Sequence, residues 1–178
     1  MDTFDYRQYL TENILKENDM DNLGKELAKA IKDKLEDTED LNEAVDPISI
    51  LSYLLAGTTL TNILAKYARK FFKKYNFGKG EAAAKKIYDF THKLESDFKS
   101  PIKFIVGAFV KDEKTKSIVT DSLFALLLLV LGGSAGVDAY NSAASNNSTA
   151  AGMSALKAAL KSKDLKTVVA DIVGSVLS

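Results

Sequence analysis

The sixteen uncharged residues at 122–137, SLFALLLLVLGGSAGV, constrain the fold of this chain more than any other feature. An aspartate closes this apolar run at each end, Asp121 before it and Asp138 after it. A membrane-spanning helix needs about 20 apolar residues, whereas about 10–14 are typical of a core or interfacial helix. The run falls between these lengths, so the sequence permits a helix buried in protein and a helix in contact with lipid.

A second uncharged stretch, residues 47–65, shares this ambiguity, since a helix that is apolar on all sides lies in a bundle core or in a membrane. Its hydroxyl groups favour a bundle, in which they can face a solvated edge. Lipid contact is favoured by the cationic residues that follow it and by the small residues at 132–136, which let helices approach closely. We expect a buried core and keep membrane contact as the alternative.

The composition predicts an all-α protein, because alanine, leucine and lysine are abundant and only two prolines interrupt them. We therefore expect a helical bundle of six to eight helices with two strongly apolar central helices. Helical spacing of apolar residues and end signals such as Asp46–Pro47 place these helices at about 3–18, 20–36, 47–75, 80–98, 101–111, 115–131, 153–161 and 164–177.

Composition along the chain predicts four segments. They are an acidic N-terminal helical arm at 1–43, a helical core at 44–137, a small and polar connector at 138–152, and C-terminal helices at 153–178.

The zero net charge conceals a strong polarity. Residues 1–46 hold 14 acidic and six basic residues, a net charge of −8, and residues 66–103 hold 11 basic and four acidic residues, a net charge of +7. This asymmetry predicts an acidic arm and a basic patch, although the two segments could equally neutralise each other within the fold. The residues expected to contact a partner or an anionic surface are Lys66, Arg69, Lys70, Lys73 and Lys74.

Residues for enzymatic chemistry are scarce. No cysteine is present to act as a nucleophile or a metal ligand, and the single histidine, His92, is expected on the surface of a polar helix. The glycines after the apolar run follow a GGxxG pattern, which lacks the spacing of a dinucleotide-binding turn. We therefore predict a non-enzyme that uses no cofactor and no metal.

The opening FDYRQYLTENILKEN resembles the short N-terminal helices of many virion proteins of large contractile-tailed bacteriophages. In that group, an aromatic–glutamine–aromatic start followed by an acidic Leu-x-Glu element marks capsid targeting and cleavage by the prohead protease. The resemblance covers about the first 18 residues. It implies that the glutamates of three Leu-x-Glu elements precede candidate cut sites: Glu12, Glu17 and Glu43.

These observations favour a structural or assembly protein, a tailed-phage virion component that binds other protein subunits in a homo- or hetero-oligomer. The residues expected to mediate self-association are Val168, Val169, Ile172, Val173 and Val176. The alternative is a membrane-active, holin-like or pore-forming protein that inserts helices 47–65 and 118–137 into the host membrane. Nucleic-acid binding is the weakest of the readings because the net charge is zero. The expected location is the virion or the cytoplasm.

Overall fold

The computed structural model describes residues 21–36, 46–56, 59–76, 81–144, 148–161 and 165–177, and these residues are almost entirely helical. This confirms the all-α prediction. Within these ranges there are nine α-helices and one π-helical turn: α1 Asp21–Glu36, α2 Pro47–Leu55, α3 Thr59–Tyr75, α4 Glu81–Asp89, α5 Thr91–Leu94, the π turn Glu95–Lys99, α6 Ser100–Phe109, α7 Glu113–Ala144, α8 Ser148–Ala159 and α9 Leu165–Leu177. The helix predicted at 3–18 lies outside the described residues.

The helix predicted at 47–75 is divided in two. It begins as expected, because the Asp46 carboxylate accepts hydrogen bonds from the backbone amides of Ile48 and Ser49 and proline occupies the first helical position. Hydrogen bonds to the carboxylate lower the pKa of Asp46; the bond from the Ser49 hydroxyl has the largest effect, and the bond from the Ile48 amide the second largest. The axis of α2 and the axis of the first part of α3, Leu60–Lys66, make an angle of 72°. α2 ends at Leu55 because Ala56, with φ of −66° and ψ of 131°, has an extended and not a helical backbone.

The bend changes the role of this apolar stretch. Leu51 and Leu54 of α2 and Leu64 of α3 are buried, but Ile48 and Tyr53 of α2 are exposed. The expectation of two central helices that are apolar on all sides is therefore met by only one helix in the described part of the chain.

That helix is α7, in which every residue from 119 to 131 is buried. Helices α2, α3, α4, α6, α8 and α9 pack around it. A helix that is apolar on all sides needs this kind of complete cover in water, so the apolar run forms the centre of the bundle.

α7 is sharply folded at Gly133, whose φ of 62° and ψ of −156° are not helical. In a straight helix Phe124 and Tyr140 would be about 24 Å apart, yet their ring centroids are separated by 4.9 Å. A Cβ atom added to Gly136 would lie 2.9 Å from the carbonyl oxygen of Leu128. α7 is thus an antiparallel helical hairpin with a first arm at residues 113–132 and a second arm at residues 134–144.

Two further segments differ from the sequence prediction. Leu27, Ile31 and Leu35 of α1 are buried in the common core, although the sequence assigns residues 1–43 to a separate arm. α1 carries four acidic and four basic residues, so the acidic surplus of the N-terminal region lies outside this helix. The narrow apolar stripe of α1 docks on the body because α3, α6 and α2 supply the surface that it needs.

The region predicted as a connector, 138–152, is mostly helical and contributes to the core. Tyr140 of the second arm and Thr149 of α8 are fully buried. In this region Gly152 permits the close approach of α8 to the first arm, since an added Cβ would lie 2.6 Å from the carbonyl carbon of Asp121.

Candidate functional site

A cluster of polar side chains lies against the first arm of α7 and is the most distinctive feature of the interior. The Lys99 ammonium lies 3.1 Å from Oδ1 of Asp121, and 19% of the Lys99 side chain and 12% of the Asp121 side chain remain accessible. The Tyr140 hydroxyl donates a hydrogen bond of 2.6 Å to Oε1 of Glu95. Lys99 also lies within 3.4 Å of the Tyr140 hydroxyl, which joins the two pairs. We call Glu95, Lys99, Asp121 and Tyr140 the polar cluster.

Aromatic rings complete the surroundings of the Lys99 ammonium. It lies 5.6 Å from the centroid of Phe124 and 5.7 Å from that of Tyr140. The two rings pack edge to face at an interplanar angle of 71°. This geometry permits cation–π attraction in a site that is mostly shielded from water.

The π turn brings two members of the polar cluster to the hairpin. It carries Glu95 at its start and Lys99 at its end, and buried Leu94 and Phe98 anchor it in the core. The chain enters this region through Thr91, whose hydroxyl donates to the backbone carbonyls of Ile87 or Tyr88. The helix predicted at 80–98 is divided at Phe90, whose φ of −100° and ψ of 14° are not helical.

The electrostatics of Asp121 reflect its burial. Burial raises the pKa of the Asp121 carboxyl, and the positive charges of Lys99 and Lys103 together with the Lys99 hydrogen bond oppose this effect only in part. The carboxylate therefore retains a net penalty in the folded state, even though it is paired.

α8 packs against the same part of the first arm at very short range. The Ser122 hydroxyl lies 2.6 Å from the carbonyl oxygen of Ile118 and 2.9 Å from that of Gly152, so its proton can bond to either. A Cβ atom at Gly152 would lie 2.6 Å from the carbonyl carbon of Asp121. Only glycine fits at this position without a shift of one helix.

The polar cluster links the π turn to both arms of the hairpin. Asp121 lies on the first arm, Tyr140 on the second, and Glu95 and Lys99 on the π turn. Since each of these groups already contacts another member of the cluster, the arrangement can hold elements together and neutralise a buried charge.

The structure places the sequence-predicted contact residues away from the polar cluster. Lys66 and Arg69 are exposed on α3, and the side chains of Lys70, Lys73 and Lys74 lie outside the described part. Val168 and Val169 of α9 are partly buried against the core, and the side chains of Ile172, Val173 and Val176 are not among those described. Glu12, Glu17 and Glu43 lie outside the described residues. These assignments stay predictions.

Sequence reasoning missed the polar cluster. The available signal was Asp121 beside Thr120 and Ser122 at the start of an apolar run, where three polar residues in the interior require partners. The partners could not be identified because Lys99 and Tyr140 lie about 20 residues away on either side. His92 is exposed, and the described residues contain no group of three or more histidine or acidic residues placed to hold a metal ion.

Within the described part, α7 is the one helix that is long and apolar enough to cross a membrane, and the bent pair of α2 and α3 would count as a second span if taken together. In the apolar window of α7, 72% of the residues are buried inside the bundle. Core helices of water-soluble bundles have the same length and composition.

The described residues form an all-α bundle around an apolar helical hairpin, and the ion pair and hydrogen bonds of the polar cluster connect both arms of this hairpin to the π turn. Comparison of the chain with protein-family models, curated proteins and solved structures finds no match.

Proposed function

We propose that this chain is a non-enzymatic structural or assembly protein that acts through contacts between helices, as a component of a tailed-phage virion. The observation that supports this most is the polar cluster, whose four groups contact one another and tie the π turn to both arms of the hairpin. Such an arrangement makes a rigid body, and a rigid body presents its outer helices to a partner at little entropic cost.

The basic part of α3 is the surface that we expect to meet a partner. α3 carries five basic residues and no acidic residue, and Lys66 and Arg69 are exposed on it. A surface of one sign steers association with a partner of the opposite sign and restricts the choice of partner. The proposed partner surface is therefore acidic.

The assignment to a virion is supported by the resemblance of the first 18 residues to phage virion proteins. If it is right, the chain is incorporated during head assembly, with the N-terminal region as the targeting element and Glu12, Glu17 or Glu43 as the residue before a cut.

Sedimentation of the purified, detergent-free chain tests this function. We expect a defined mass in solution and no recovery with anionic vesicles at low or high salt. Charge reversal of Lys66 and Arg69 is expected to weaken binding to an acidic partner subunit. The matched control is charge reversal of Lys157 and Lys161, which are exposed in α8 and directly after it, outside the basic part of α3.

A salt-resistant association with the vesicles would contradict the assembly function. It would favour the membrane-active alternative, which the length and apolar character of the first arm of α7 support. Association lost at high salt would instead indicate binding of the basic surface to head groups.

A further inference from the structure

The described residues after Gly133 belong to three helical segments, and the chain leaves the first arm of α7 at Gly133 to enter them. We call these segments, residues 134–144, 148–161 and 165–177, the cover. It comprises the second arm of α7, α8 and α9, which pack on the first arm, on α2 and on α3. The cover buries one side of the apolar first arm, and without it those residues would face water.

Separation of the cover from the first arm requires a change of backbone conformation at Gly133 alone, although it breaks contacts such as those of Tyr140 with Glu95 and of Gly152 with Ser122. Gly133 has a backbone conformation that is essentially restricted to glycine, and helix resumes directly after it. Rotation of the Gly133 backbone to helical angles would join the two arms in one helix of 32 residues, about 48 Å long. This rotation would carry the whole cover away from its own first arm.

We propose that two copies of this chain associate by exchanging their covers, with α7 straightened at Gly133 in each copy. The inference deepens the proposed assembly function, on which it rests, by naming a second copy of this chain as the partner. In the exchanged dimer the cover of one copy remakes every contact of the closed chain on the first arm of the other. The only groups that differ between the two forms are those at the hinge.

The shape of the covered surface selects a second copy over an unrelated helix. The backbone of Asp121 accepts only a residue without Cβ at the position of Gly152. The Ser122 hydroxyl bonds to the backbone carbonyl of that same residue, and the Phe124 ring packs against Tyr140, whose hydroxyl bonds to Glu95. The cover of a second copy supplies all of these features in the correct register.

A distance measurement across the hinge distinguishes the two forms. The chain contains no cysteine, so Ser117→Cys together with Ser142→Cys provides two unique sites for spin labels, and both positions are exposed. In the hairpin these positions are on the order of 12 Å apart at the backbone, given adjacent helices and the register of the arms. In a straight α7 they are about 38 Å apart.

The doubly labelled chain is mixed with an excess of unlabelled chain, refolded at high concentration and separated by mass. We expect the short distance in the 19.4 kDa monomer and the long distance within each chain of the dimer. A dimer that keeps the short distance within each chain would overturn the exchange while leaving self-assembly intact.

Gly133→Ala provides the second arm of the test. Alanine disfavours the hinge conformation and favours helix, so this variant is expected to lower the dimer dissociation constant about tenfold or more. Gly107→Ala is the matched control, because Gly107 lies in α6 outside the cover and its added Cβ would meet only the movable side chain of Lys116, and it is expected to leave the monomer fraction unchanged. A Gly133→Ala chain that stays monomeric at every concentration would overturn the exchange, whereas the sedimentation experiment above tests the assembly function separately. If that variant does not fold, insertion of two residues after Gly133 replaces it and is expected to reduce the dimer fraction.

Discussion

Asp121 is the residue whose environment conflicts most with its chemistry. It lies among consecutive buried residues on a helix that is otherwise largely apolar, and Lys99 is the cation in direct contact with it. A buried ion pair contributes little net stability, but removal of one partner leaves an uncompensated charge. The pair therefore acts mainly on the arrangement of the helices, because an arrangement that separates Lys99 from Asp121 leaves the buried carboxylate unpaired.

Lys99→Met should lower the free energy of unfolding by about 3–5 kcal/mol at neutral pH, because it leaves the Asp121 carboxylate buried without its partner. Urea unfolding followed by circular dichroism measures the effect. The double variant Lys99→Met/Asp121→Asn should recover much of the loss, since it removes the orphaned charge. Equal losses in the single and the double variant would show that Lys99 acts through packing alone.

The pH dependence of stability follows from the direction of the Asp121 shift. The folded pKa is raised above the unfolded value of 3.8, so the folded chain holds the proton more tightly between the two values. The contribution of Asp121 to stability is therefore greatest below pH 3.8 and falls as the pH rises through the folded pKa.

The difference in unfolding free energy between the wild-type chain and Asp121→Asn isolates this contribution. It should decrease from pH 3.8 upward and then level off. A difference that increases with pH over this range would mean that Lys99 stabilises the carboxylate more than burial destabilises it.

Substitution of two glycines, Gly152 and Gly107, compares a site packed against backbone with a site packed against a flexible side chain. Gly152→Ala should destabilise the fold by about 1–3 kcal/mol, because its Cβ would lie within 2.8 Å of three backbone atoms of Asp121 and Ser122. Gly107→Ala should change stability by less than about 1 kcal/mol, because its Cβ would meet only the movable side chain of Lys116. Thermal unfolding of both variants measures this difference, and equal melting temperatures would contradict the close approach of α7 and α8.

At the scale of elements, the hairpin is the feature that organises the molecule. The first arm supplies the apolar centre, and the second arm returns along it to place Tyr140 beside Phe124. Gly133 supplies the backbone conformation of the turn, and Gly136 allows the second arm to approach the carbonyl oxygen of Leu128. Two of the small residues at 132–136, Gly132 and Gly136, thus allow close contacts within this chain, since an added Cβ at either would lie 2.7 Å from Cδ1 of Ile87.

Tyr140→Phe tests the attachment of the second arm to the π turn. The variant keeps the ring against Phe124 but loses the hydrogen bond to Glu95, so we expect the free energy of unfolding to fall by about 1–3 kcal/mol. Amide hydrogen exchange should become faster in residues 134–144 than in α4, which packs at the other end of the hairpin near Gly132. Uniform acceleration in all helices would indicate that Tyr140 contributes to global stability alone.

Element boundaries were only partly predictable from the sequence. The start of α2 could be predicted because Asp46 and Pro47 form a local signal. The predicted end of the apolar helix at about residue 131 is close to the break at Gly133, but nothing local indicates that the chain then folds back on itself. That outcome depends on contacts between residues far apart in the sequence, such as Tyr140 with Glu95.

At the scale of the whole molecule, the all-α class could be predicted from composition and from the 3.6-residue spacing of apolar residues. Both signals come from many residues together, so no single contact decides them. The burial of α1 was not foreseen, because a narrow apolar stripe such as Leu27, Ile31 and Leu35 fits a partner as well as the body of its own chain. The polar cluster could not be predicted, since its members come from the π turn and from both arms of the hairpin, which are far apart in the sequence.

The apolar run forms the buried centre of the bundle, and the proposed assembly function depends on this burial. Hydrogen–deuterium exchange of residues 119–131, with and without anionic vesicles, tests it most directly. We predict that these amides are the slowest to exchange in the described chain and that vesicles leave their exchange unchanged. Rapid exchange in solution, or a change in exchange confined to this segment when vesicles are added, would contradict the claim.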